Sequence, residues 1–182
     1  MLRAMSDATS GDASGGLAER LLRASELHGD FVLSSGKRST VYFDKFRFLT
    51  DPDLLRQTAR AVSDLLPEGV THLAAPEGAA TLLVAAVSLR TGLPMAVVRK
   101  EPKAYGTRSQ VEGHAPPDAR VALIEDVSTT GHQVRKAARA LEELGCRIAR
   151  IVLAIDRGGG AQLREAGYEV AAVVRVEPDE PR

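Results

Sequence analysis

The sequence predicts an α/β fold: a parallel sheet flanked by helices, with a small N-terminal helix-plus-hairpin hood. Three observations predict it. From "VTHLAA" onward, short apolar runs rich in β-branched residues alternate with amphipathic segments of helical period. Before that point the alternation is replaced by two strand-like runs around a Ser/Gly turn. With 44% hydrophobic residues, a chain of 182 residues can build one main core.

The elements follow in order. "LAERLLRASELH" places Leu17, Leu21 and Leu22 at helical spacing, and "FVLSSGKRSTVYFDKFRF" reads as a hairpin. In "TDPDLLRQTARAVSDLL", Asp51 can cap and Pro52 suits the first helical position. Leu54, Leu55, Ala59, Val62 and Leu66 then form one face. Strand "VTHLAA", helix "ATLLVAAVSLR" and strand "PMAVVR" come next, followed by a long polar loop from Lys100 to Asp118. Strand "RVALIE", helix "HQVRKAARALEELG", strand "RIARIVLAI", short helix "AQLREAG" and strand "YEVAAVVRV" complete the series. Parallel strands joined this way need right-handed crossovers.

Composition bounds the function. Lys plus Arg and Asp plus Glu number 24 each, so no overall field draws in nucleic acid or an anionic membrane, and an anion site must be local. The single cysteine, Cys146, rules out an internal disulfide framework and reads as a buried structural thiol. No apolar run reaches membrane-spanning length and the N-terminus lacks a secretory apolar core, which places the protein in the cytoplasm. Residues 1 to 16, small, polar and glycine-rich, read as a disordered tail. Residues 17 to 182 read as a single domain, with 17 to 50 as hood and 51 to 176 as core. His28, His72 and His114 show no metal-ligand spacing.

The chemistry concentrates in "VALIEDVSTTGHQV". Ligands of open α/β sheets gather beyond the carboxyl ends of the strands, where Glu125 and Asp126 stand. Two adjacent carboxylates taken from water unpaired would cost several kcal/mol, so they need hydroxyls, a cation or solvent. The following Ser128, Thr129, Thr130 and Gly131 bring hydroxyls and backbone N–H groups to a helix entrance, which favours a phosphate. A ribose 5-phosphate satisfies both halves: the turn takes the phosphate and the acids accept from the 2′ and 3′ hydroxyls. The plainer alternative is a capped helix beside two solvated acids. The spacings of a P-loop and of G-x-G-x-x-G are both absent, and "DRGGGA" has glycines at the wrong intervals.

With that motif in place the chain resembles the type I phosphoribosyltransferases, from about Leu17 to Val176. "FVLSSGKRSTVYFD" and "VVRKEPKAYGTRSQVEG" resemble the orotate phosphoribosyltransferases. The resemblance implies the type I phosphoribosyltransferase fold and transfer of a phosphoribosyl group from phosphoribosyl diphosphate (PRPP) to orotate. A purine or other base, and a non-catalytic PRPP-binding regulator, are the alternatives. It further implies that Arg99, Lys100, Lys103 and Tyr105 meet the diphosphate, with Lys103, Asp126 and Glu125 catalytic. Glu125, Asp126, Val127, Ser128, Thr129, Thr130, Gly131, His132 and Gln133 would hold the ribose phosphate. Tyr42, Phe43, Thr129 and Arg157 would meet orotate, the plainer role of Arg157 being a surface pair with Asp156. Mg²⁺ would be held mainly by the ligand rather than directly by the protein. The loop after Lys100 would close over the neighbouring subunit's site, which implies a homodimer. The sequence departs from the family at Tyr105, where histidine is common, at His132 and Gln133, at Ala79 and Ala80, and at Ser34.

Overall fold

The computed structural model describes residues 4–5, 14–32, 36, 38–102 and 109–176. A seven-stranded sheet runs in the order β1 (Ala4–Met5), β9 (Val170–Val176), β8 (Arg147–Asp156), β7 (Arg120–Ser128), β4 (His72–Pro76), β5 (Met95–Val98) and β6 (Val111–Gly113). The five strands from β9 to β5 are parallel; β1 and β6 pair antiparallel at the two edges. The sheet is therefore mixed at its rims. Each short rim strand covers the otherwise open edge of an outer parallel strand.

Side chains alternate along the strands and divide the core in two. Leu73, Ala75, Ala122 and Ile124 pack with α1 (Ser14–Ser25), α2 (Phe46–Leu49), α3 (Pro52–Asp64) and α4 (Ala80–Thr91). Ala74, Val121 and Leu123 pack on the opposite face with α5 (His132–Glu143) and α6 (Gly159–Glu165). Asp51 caps α3 as expected, accepting from Asp53 N and Leu54 N at 2.9 Å, with Pro52 at the first helical position. The hood is a separate two-stranded sheet, β2 (Glu26–Val32) with β3 (Arg38–Phe43), bulged between His28 and Phe31.

Four expectations are corrected. The tail is not wholly without structure, since Ala4 and Met5 pair with Val176 and Arg175 and α1 already begins at Ser14. "ELH" belongs to β2 rather than to the first helix: Ser25 closes α1 by donating its hydroxyl to Leu21 O, and Glu26 opens the hairpin opposite Phe43. "FRFL" is the helical turn α2, its Phe46 N donating to the Asp44 carboxylate while Phe48 and Leu49 are buried. The loop after Lys100 contains β6.

Candidate active site

Chain direction across the sheet reverses between β4 and β7. From β4 the strands run outward through β5; from β7 they run the other way through β8 and β9. The crevice beyond the carboxyl ends of that central pair is where such sheets bind ligands. The acid pair lies there, though inside the strand rather than after it, because β7 continues two residues further, with Ser128 opposite Asp156.

Asp126 is completely buried and Glu125 is 7% exposed. Burial, and then the neighbouring charge of Asp126, hold the Glu125 carboxyl well above the usual carboxylate range. Asp126 faces the hood side, the same side as Ile124. There the ammonium of Lys45 stands 3.2 Å from its Oδ1 and 3.1 Å from its Oδ2. Oδ1 also accepts from Val127 N at 2.6 Å, whereas Oδ2 has no aligned hydrogen-bond donor.

After Ser128 the chain turns through the exposed Thr129 and Thr130 into α5, capped by Gly131 at φ 67°. Gly131 offers no capping side chain, and the one nearby hydroxyl contact, Thr130 Oγ1 with His132 N, is long at 3.4 Å. The capped-helix alternative is therefore poorly met, and a helix entrance without a capping side chain is of the kind that favours an anion. His132 and Gln133 are exposed at the same mouth. The glycines of "DRGGGA" also find a purpose in packing: a Cβ on Gly159 would lie 2.1 Å from Ser128 Oγ and 2.8 Å from Gly131 N. Their absence of side chains brings the start of α6 against this turn.

The predicted base contacts converge in part. Arg157 lies over the Phe43 ring, 4.7 Å from its centroid, and its N–H donates to Ser128 O at 2.8 Å. Tyr42, partly exposed, stacks at a tilt on Phe31. The surface pairing of Arg157 with Asp156 is not found, because Asp156 accepts from Gly158 N and Gly160 N instead. On the other side of the crevice Arg99 Nη1 stands 3.9 Å from Glu77 and 4.0 Å from Glu112. Lys100 N donates to Glu77 Oε1 at 2.9 Å. Ala79, where the family often has glycine, takes φ −65°, which any residue adopts. Lys103 and Tyr105, like Ser34, lie outside the described residues.

Sequence reasoning missed Lys45 and Glu77. Their partners are 81 and 23 residues away, so neither forms a local motif.

Residues 49–177 match the phosphoribosyl transferase domain family. The chain is 43% identical over 171 residues to the orotate phosphoribosyltransferase of Thermococcus gammatolerans, covering 91% of this chain and 90% of that one. The chain belongs to the orotate phosphoribosyltransferase family. Among solved structures, the orotate phosphoribosyltransferase of Mycobacterium tuberculosis in complex with Fe(III) dicitrate superposes with a TM-score of 0.79 at 27% identity, over 88% of this chain and 94% of that one. The UMP synthase of Leishmania donovani superposes with a TM-score of 0.75 at 30% identity. The match covers 90% of this chain and 36% of that longer one. No described helix is long and apolar enough to cross a membrane.

Proposed function

We propose that this chain transfers the 5-phosphoribosyl group of PRPP to orotate, releasing diphosphate and forming orotidine 5′-phosphate in UMP synthesis. The observation that carries the reading is the fully buried Asp126 on a central strand at the switch point, five residues before the helix entrance at Gly131. Asp126 and Glu125 face the ribose hydroxyls, and the backbone from Val127 to Gln133 receives the 5′-phosphate. Arg157 faces the carboxylate of orotate while Phe43 lies against the ring. The ring nitrogen attacks C1 as the C1–O bond to diphosphate breaks. Arg99, Lys100, Lys103 and Tyr105 take up the charge that gathers on the departing oxygens. The protein's contribution is position and neutralisation.

Magnesium would be held mainly by the substrate rather than by protein side chains, and would supply neutralisation of the leaving diphosphate. Among the described residues no group of three or more His, Cys, Asp or Glu stands together to hold a metal ion, and Asp126 already faces Lys45, which suits a cation carried by the substrate. A cytoplasmic homodimer completes the reading. Helix α4 supports a second copy as its cover, since Leu82 is 40% and Leu89 90% exposed.

The test is turnover with PRPP, magnesium and one base at a time. Orotate is expected to release diphosphate, and adenine, hypoxanthine and uracil are not. A purine substrate would overturn the base assignment, and PRPP binding without turnover would indicate a regulator. For the dimer, mixing inactive Lys103→Ala and Asp126→Asn chains is expected to restore part of the activity through hybrid sites. No recovery despite proven subunit exchange would place the whole site within one chain.

A further inference from the structure

The Lys45 ammonium sits almost evenly between the two oxygens of Asp126, a carboxylate with no solvent exposure, while its own side chain is 41% exposed. An ammonium so placed neutralises the buried charge and fixes the plane of the carboxylate. Oδ1 also takes Val127 N, whereas Oδ2, buried and paired with the ammonium at 3.1 Å, has no aligned hydrogen bond. Lys45 also belongs to the turn that ends the hood strand β3. Phe43, which carries Arg157 on its ring, is two residues earlier, and Asp44 between them donates its N–H to Ser25 O at 2.8 Å. One short stretch of backbone thus reaches both the base side and the sugar side of the crevice.

We propose that Lys45 is a positioning residue for phosphoribosyl transfer: it fixes the plane of the Asp126 carboxylate, whose Oδ2 lacks an aligned donor, to receive a ribose hydroxyl, and the same ion pair seats Phe43 over the base site. The inference rests on the transfer activity proposed above. Its test uses the full chain with Lys45→Met and Lys45→Arg. PRPP affinity with magnesium is measured by calorimetry, and kcat and KM for orotate are measured separately.

Lys45→Met is expected to weaken PRPP binding about tenfold or more and to raise the KM for orotate. Its kcat at saturation of both substrates should fall less, because the ammonium does not touch the reacting atoms. Lys45→Arg should recover PRPP affinity to within about threefold, since it restores the charge. If Lys45→Met does not fold, Lys45→Gln, neutral but still a hydrogen-bond donor, carries the same expectation. Wild-type affinity in the neutral variant would overturn the inference. So would tighter binding, which would make the ammonium a competitor for the sugar's place. A wild-type chain that neither binds PRPP nor turns over orotate would sink the transfer reading and this inference together. A fully active chain indifferent to Lys45 would sink only the inference.

Discussion

The floor of the crevice and the hood above it are held in different ways. Glu125 and Asp126 sit on a strand paired on both sides, by β4 and β8, with a hydrophobic core against each face. The hood is a two-stranded sheet of its own, with Val32, Tyr42 and the adjoining Phe46 exposed. Among the described residues it meets the floor through Lys45 on Asp126 and through Phe43, which carries Arg157 and packs against the core. The part proposed to match an invariant sugar phosphate is fixed by the sheet, where a shift would cost core packing. The part proposed to meet the base lies outside that sheet and can adjust at less cost.

Three substitutions on the floor and one on the base side sharpen that contrast. Asp126→Asn keeps the shape, removes the charge and leaves Lys45 without its partner. It should lower kcat/KM for PRPP about a hundredfold in steady-state assays, with the melting temperature little changed. Gly159→Ala drives a methyl group against Ser128 and the Gly131 backbone, which lies in the phosphate turn. It should cost about 1–3 kcal/mol in denaturant unfolding and weaken PRPP binding with it, which a purely local clash would not do. Arg157→Ala removes the proposed charge-assisted contact to the base together with the cation resting on the Phe43 ring. The KM for orotate should rise about tenfold while PRPP affinity by calorimetry stays within about twofold; an equal loss of both would erase the division between floor and hood.

The smallest effect concerns protons. Glu125 holds its proton well above its ordinary value of 4.5, so above that pH the unfolded chain releases a proton that the folded chain keeps. Native stability contributed by the protonated group is present below that point. It falls as pH rises, until the native carboxyl itself ionises. Glu125→Gln should flatten this decline, gaining on the wild type with rising pH in unfolding titrations. Parallel curves for the two proteins would mean that Glu125 is ionised in the native state at the same pH as in the unfolded one.

The same division explains what could be read from the sequence. The core strands and helices carry their own periods, so α3, α5 and the apolar run into Glu125 and Asp126 were legible, as was the glycine at the helix entrance. The helical turn α2 has four residues, too few for a helical period, and Phe46 and Phe48 imitate the alternation of a strand. The rim strands β1 and β6, two and three residues long, exist because an edge needs covering, a fact about neighbours rather than about their own residues. Lys45 and Glu77 act on partners brought near only by the fold. "DRGGGA" matches no ligand motif, and Gly159 and Gly160 answer instead to Ser128, Gly131 and Asp156.

The most direct measurement is a crystal structure of the chain soaked with PRPP and magnesium. The ribose hydroxyls are expected on Asp126 and Glu125, the 5′-phosphate on the backbone between Val127 and Gln133, and the diphosphate on the side of Arg99 and Lys100. PRPP bound elsewhere, or an acid pair still turned wholly to Lys45 with the sugar out of reach, would contradict it.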